Sequence, residues 1–222
     1  MSQETWTAVD EYLKDKLIGI DDALDAALTN SEMSGLPPIA VAPVQGKFLQ
    51  LLASIQGAKS ILEIGTLGGY STIWLARALP EGGKLVSLEY EQKHAEVAQQ
   101  NIEHAGFGDR VEIIQGAALD TLPDLINDSR APFDLVFIDA DKQNNPAYVN
   151  WSLKLTRPGS IIIVDNVVRN GTVAEAHSDD PNVQGARALF DLVENEPKLD
   201  ATALQTVGVK GYDGFVLAVV TE

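Results

Sequence analysis

The feature that most constrains the fold is a change of rhythm at Ser60, after which short apolar runs alternate with helical patterns almost to the end. Ile61-Leu62-Glu63-Ile64, Leu85-Val86-Ser87-Leu88, Val111-Glu112-Ile113-Ile114, Leu135-Val136-Phe137-Ile138 and Ile161-Ile162-Ile163-Val164 read as five strands. Helices are expected through Trp74 to Leu79, around Ala95 to Ala105, near Leu119 to Ile126 and around Tyr148 to Leu155. Strands separated by crossover helices specify an α/β fold, a doubly wound parallel sheet with helices on both faces. A further helix near Val183 to Asn195 precedes two last runs, Ala203 to Val207 and Phe215 to Val220. These read as a closing hairpin across Gly211 to Gly214, and a tight turn makes its strands antiparallel, so the sheet is expected to be mixed.

Ahead of Ser60 the chain is helical. Trp6, Val9, Leu13, Leu17, Ile20, Leu24 and Leu28 recur at three- and four-residue steps, one helical face. Gly19 before Asp21-Asp22 divides that pattern into two helices, with Asp21 as N-cap. Gly35-Leu36-Pro37-Pro38 is a breaker, and Pro43 opens another helix carrying Phe48, Leu49, Leu52 and Ile55. With 222 residues and no linker, repeat or low-complexity tract, residues 1–222 read as a single domain. Residues 1–34 are expected to cover a substrate site or to pack against a second subunit.

Lys and Arg number 16 against 32 Asp and Glu, a net charge of −16. That charge repels phosphate backbones and anionic lipid, so nucleic acid and membranes are not expected partners. Without cysteine there are no disulfides and no thiolate metal sites. Residues 1–30 lack a basic start followed by an apolar core, and no apolar run approaches the roughly 20 residues of a membrane span. A cytoplasmic location is the expectation.

In open parallel sheets, ligands bind beyond the carboxyl ends of the strands. The first strand ends in Glu63-Ile64-Gly65-Thr66-Leu67-Gly68-Gly69-Tyr70-Ser71. A pyrophosphate turn wants Gly-x-Gly-x-x-Gly, but in that register Gly65 is followed by Leu67 and Tyr70, which disfavours NAD and FAD. A tight turn remains, with N–H groups at the next helix for an anion and Glu63 for a ligand ammonium. Glu89, ending the second strand, is placed to accept hydrogen bonds from ribose hydroxyls. Gly116-Ala117-Ala118, after the third, is small enough for a flat adenine. Together these three strand ends describe a nucleoside site whose ligand also has an amino-acid-like part.

The fourth and fifth strands end in Asp139, followed by Asp141-Lys142, and in Asp165-Asn166. Two carboxylates and an amide oxygen suit Mg²⁺, Mn²⁺ or Ca²⁺ rather than zinc or copper. A phenol, with a pKa of about 10, becomes a better nucleophile when a dication stabilises its phenolate. Lys142, three residues past Asp139, is placed to take the phenol proton as general base. Asp141 reads as a supporting or helix-capping residue.

The segments from Leu62 to Ser71, from Phe133 to Lys142, and from Arg157-Pro158-Gly159 through Val164-Asp165-Asn166-Val167 resemble the cation-dependent class I O-methyltransferases. That family includes catechol and caffeoyl-CoA O-methyltransferases and small bacterial relatives. The resemblance runs from about Gly35 to the C-terminus and implies a Rossmann-like sheet, S-adenosylmethionine as methyl donor and a homodimer. It implies that Val41, Glu63, Gly65, Thr66 and Ser71 surround the methionine part. Leu67 and Asp139 join the donor contacts, Glu89 holds the ribose and Ala118 lies at the adenine. Asp139, Asp165 and Asn166 become metal ligands and Lys142 the base, with a small phenolic acceptor.

Two positions depart from the family pattern. Gln143-Asn144-Asn145 replaces the usual x-Asn-Tyr, the next tyrosine being Tyr148, and Arg169 stands where an aromatic often lies near the substrate. If Arg169 faces the pocket, an acidic or strongly polar acceptor is favoured. The chain lacks a basic N-terminal arm, so a free phenol fits better than a CoA thioester. The rivals are an NAD(P)-dependent oxidoreductase on a related fold and a non-catalytic module that keeps the donor pocket.

Overall fold

The computed structural model describes residues 2–126 and 130–222. Among them, one sheet comprises β1 (Ser60–Ile64), β2 (Lys84–Glu89), β3 (Val111–Gln115), β4 (Phe133–Ile138), β5 (Thr156–Asp165), β6 (Leu199–Gly208) and β7 (Gly211–Val220). The strand order is β3-β2-β1-β4-β5-β7-β6. β1 to β5 are mutually parallel, and β7 pairs antiparallel with both β5 and β6. The chain leaves β1 in one direction to β2 and returns on its other side as β4, so the order reverses between them. That reversal opens a crevice at the strand ends.

Side chains on a strand point alternately to opposite faces, and here both faces are apolar. Ile61, Leu85, Leu135 and Phe137 enter one core cluster, whereas Leu62, Val86, Val136 and Ile138 enter the other. The first face is covered by α2 (Asp22–Met33), α3 (Pro43–Gln56), α4 (Tyr70–Ala76) and α5 (Gln92–His104). The second carries α6 (Ala118–Ile126), α7 (Asn145–Leu155) and α8 (Pro181–Asn195). α3 comes so close to α4 that a Cβ on Gly46 would lie 2.3 Å from the Trp74 ring.

The N-terminal pattern splits differently from a single apolar face. α1 (Gln3–Leu17) has no buried residue, and Ile20 is 91% exposed, whereas Leu24 and Ala27 of α2 reach the core. Gly19 adopts φ +75°, which turns the chain and takes the two helices out of a common register. α1 instead rests on the C-terminal hairpin, where Gln3 Nε2 donates to the Gly208 carbonyl at 2.9 Å and the Val209 N–H donates to Asp10 at 2.7 Å. Asp21 does cap α2, accepting from the Leu24 N–H at 3.1 Å, and its carboxylate also takes both Arg77 Nη groups at 2.6 and 2.8 Å.

The expected hairpin is present, but its turn lies elsewhere. β6 runs to Gly208 and β7 starts at Gly211, leaving Val209 and Lys210 as a two-residue loop. Gly214 is inside β7, where a Cβ would lie 2.3 Å from the Leu204 carbonyl oxygen and 2.6 Å from Val168. Its glycine marks a close approach rather than a turn. No helix among the described residues is long and apolar enough to cross a membrane.

Candidate active site

The carboxyl ends of the five parallel strands open into one cavity of about 810 Å³. Val41, Gly65, Thr66, Leu67, Ser71, Glu89, Ala118, Asp139, Lys142, Asp165 and Asn166 all line it. Among the described residues, none of 2–34 contributes to this lining; the nearest N-terminal wall is Ile39 to Val41.

Glu63 is the one predicted site residue that the fold does not bring to the cavity surface. Strand alternation sends its side chain to the face covered by α4, where it is fully buried. There Ser71 Oγ donates to Oε1 at 2.6 Å, while Thr72 Oγ1 and Ser87 Oγ donate to Oε2 at 2.5 and 2.7 Å. Burial pushes its pKa up to about 7 despite those three hydroxyls. Glu63 therefore positions Ser71, which does line the cavity.

Two contacts define the turn after β1. Gly65 adopts φ +98°, and a Cβ there would sit 2.2 Å from the Asp139 carbonyl oxygen, so the ends of β1 and β4 meet only through a glycine. The N–H groups of Thr66 and Leu67 donate to Glu89 Oε2 at 3.0 and 2.8 Å, and the Glu91 N–H donates to Oε1 at 2.9 Å. Within the turn itself an internal carboxylate thus takes two N–H groups, and its charge opposes an anion at the same place. Glu89 remains at the cavity wall beside Gly116, Ala117 and Ala118, which leave room for a flat base.

The other end of the cavity carries Asp139, Lys142, Asp165 and Asn166. Lys142 is buried, and its Nζ donates to Asp139 Oδ1 at 2.8 Å. Its backbone is pinned by α8, since a Cβ at Gly185 would lie 2.2 Å from the Lys142 carbonyl oxygen. Asp165 is only 4% exposed, and burial, then the charge of Asp139, push its pKa up to about 7. Asn166 has left-handed backbone, φ +55°, that an asparagine tolerates better than most residues.

Several contacts at this cavity involve residues outside the expected site set. Gln45, in the first turn of α3, donates through Nε2 to Asp165 Oδ2 at 2.7 Å. Tyr148 lines the cavity and donates to Asp141 Oδ1 at 2.5 Å, so Asp141 is a supporting residue that braces the loop. Burial and the Asp141 carboxylate push the Tyr148 phenol up. Lys210, from the β6–β7 turn, reaches the cavity and donates to the Pro38 carbonyl at 2.7 Å. Arg169 also lines it.

Comparison with known proteins places this geometry. An O-methyltransferase family model matches residues 21–219. The chain is 51% identical to a catechol O-methyltransferase of Niastella koreensis, over 99% of this chain and all of that one. It is 55% identical to a catechol O-methyltransferase of Mycobacterium tuberculosis, over 96% and 94% of the two chains. The crystal structure of an O-methyltransferase from Bacillus cereus, in complex with S-adenosylhomocysteine, superimposes with a TM-score of 0.98 at 59% identity, covering 99% and 100%. An O-methyltransferase from Streptomyces achromogenes, solved with S-adenosylmethionine, gives 0.96 at 48% identity, with both chains fully covered. The chain belongs to the S-adenosylmethionine-dependent O-methyltransferase family.

Proposed function

We propose that this enzyme methylates one hydroxyl of a small vicinal-dihydroxy aromatic, with a divalent cation held by Asp139, Asp165 and Asn166. The observation that carries this reading is the grouping of those three oxygen donors with Lys142 at one end of the cavity, opposite Glu89 and Ala118. The names of the relatives from Niastella koreensis and Mycobacterium tuberculosis support the catechol-like acceptor.

The residues fit a cation. Asp165 and Asp139 are two carboxylates close enough that one raises the pKa of the other, and Asp165 is almost fully buried. A buried carboxylate pair is costly until a proton or a metal neutralises it. Among the described residues no third acid, histidine or cysteine gathers with them. The donor set is thus all oxygen and suits Mg²⁺, with Mn²⁺ or Ca²⁺ by the same chemistry. Such an ion, when bound, lowers the pKa of a hydroxyl it contacts.

The chain's own residues do the rest. Gln45 orients Asp165, and α8 together with Asp139 fixes Lys142. Lys142, as the free amine, takes the hydroxyl proton on Nζ and becomes an ammonium. The acceptor oxygen bonds the methyl carbon, the carbon–sulfur bond breaks, and S-adenosylhomocysteine leaves as a neutral thioether. Val41, Gly65, Thr66, Leu67 and Ser71 enclose the methionine part, with Glu63 behind them, Glu89 at the ribose and Ala118 at the adenine. A homodimer is supported by α1, whose Val9, Tyr12 and Leu17 are 50%, 60% and 68% exposed.

The test is transfer of labelled methyl from S-adenosylmethionine to catechol and to phenol. Label on catechol with little on phenol is expected; equal labelling of both would remove the diol requirement.

A further inference from the structure

Two cations at the metal end of the cavity have no part in the chemistry above. Lys210 comes from the β6–β7 turn and Arg169 from the loop after β5, and both line the cavity. In a chain with 32 acids and 16 lysines and arginines, a cavity cation without a carboxylate partner is unexpected. Lys210 is such a cation. Its Nζ donates to the Pro38 carbonyl at 2.7 Å, and among the described residues it is in no ion pair. Desolvation lowers its pKa and the Asp139 charge opposes this, which places the ammonium within electrostatic reach of Asp139.

Arg169 is under-used in a different way. Its Nη1 lies 3.9 Å from Asp213 Oδ2, the outer limit of an ion pair. The other oxygen of Asp213 is occupied by the N–H groups of Val168, Arg169 and Gly214 at 2.9, 2.9 and 3.0 Å. The Arg169 Nε is buried without a hydrogen-bond partner. Its backbone sits at φ +56°, followed by Asn170 at φ +56°, a pair of left-handed residues that costs free energy to hold. Asp213 therefore secures the loop backbone while leaving the guanidinium weakly engaged.

We propose that Lys210 and Arg169 bind an anionic substituent of the acceptor, so that the preferred acceptor is a vicinal diol whose aromatic ring also carries a carboxylate. This rests on the diol reading of the site. The diol faces Asp139, Asp165 and Asn166, and the carboxylate faces the two cations. Charge-assisted hydrogen bonds to ammonium and guanidinium are the strong ones, and a neutral analogue leaves both donors without that partner. The net charge of −16 opposes the approach of any anion, so local cations are required for an anionic acceptor to be favoured.

The test compares 3,4-dihydroxybenzoate with its neutral isostere 3,4-dihydroxybenzamide. Each is titrated calorimetrically into protein saturated with S-adenosylhomocysteine and Mg²⁺, and kcat/KM is measured for both. The benzoate is expected to lead by about tenfold or more in both readouts. The lead shrinks towards one in Lys210→Met and in Arg169→Met, and Lys210→Glu reverses it. Because each variant is scored by a ratio between two ligands, loss of folded protein affects both arms alike. A ratio of one in the unmodified protein, or a lead that survives in both methionine variants, overturns the proposal. Equal turnover of the two diols overturns the anionic selection alone, whereas methyl transfer to neither overturns the underlying function.

Discussion

Lys142 Nζ and Asp139 Oδ1 are joined by a 2.8 Å hydrogen bond, so the proposed base is held by one of the proposed cation ligands. In the proposed mechanism this hydrogen bond couples proton transfer to the cation ligands. Lys142→Arg keeps the charge but gives a group that does not deprotonate near neutrality. Both Lys142→Arg and Lys142→Met are expected to lower kcat by about 10²- to 10⁴-fold. The Kd for S-adenosylhomocysteine, measured by calorimetry, is expected to stay within about threefold, about 0.7 kcal/mol or less, since Lys142 is not among the residues placed around the donor. A Lys142→Arg variant with full kcat would remove the proton-transfer role.

Glu89 tests the donor side. Its carboxylate gathers the N–H groups of Thr66, Leu67 and Glu91, and it stands at the expected ribose position. Glu89→Gln replaces one acceptor oxygen with a donor and removes the charge. Losing a buried charged hydrogen bond costs about 1.5–3 kcal/mol. The Kd for S-adenosylhomocysteine is therefore expected to rise by about ten- to a hundredfold. An unchanged Kd would show that Glu89 shapes the turn without touching the ligand.

Gly65 and Gly82 separate two costs. Both have positive φ, +98° and +77°, but a Cβ on Gly65 meets the Asp139 carbonyl at 2.2 Å, whereas Gly82 has nothing within 4 Å. Gly82→Ala carries backbone strain alone, about 1–2 kcal/mol. Gly65→Ala adds a clash with backbone that has no room to move, and about 3 kcal/mol or more is expected. Urea unfolding of both variants checks the ordering; equal losses would mean that β1 and β4 are free to separate.

Glu63 makes stability depend on pH. Its pKa is raised in the folded protein, from 4.5 to about 7, by burial. The folded state therefore holds a proton that the unfolded chain has released, and stability falls as pH rises across that window, then levels off above about 7. The effect is on the order of 3 kcal/mol. In EDTA, buried Asp165, also raised to about 7, adds a decline of the same sign, so Glu63→Gln should reduce the decline between pH 5 and pH 8 without abolishing it. An identical slope in the variant would place the titration elsewhere.

The fold was legible in the sequence because both faces of the sheet are buried. Runs such as Leu135-Val136-Phe137-Ile138 feed the two cores alternately, and that is why they are continuously apolar. The hairpin turn was misplaced because Gly211 and Gly214 look like turn residues, while Gly214 actually answers a close approach by β6 and Val168. At the site, residues at strand ends were legible, since a strand end fixes where a side chain emerges. Glu63, one residue earlier on β1, went to the other side of the wall by alternation. Gln45 and Lys210 arrive from other elements through tertiary packing, and no local pattern marks them, whereas Tyr148 lies only seven residues past Asp141, on the next helix.

The central claim is that methyl transfer needs a divalent cation at Asp139, Asp165 and Asn166. The direct measurement is methyl transfer from S-adenosylmethionine to catechol after exhaustive EDTA treatment, and again after Mg²⁺ is restored. The rate is expected to fall to about one per cent or less and to return with Mg²⁺, with no return in Asp165→Asn. A rate that EDTA leaves unchanged would contradict the account.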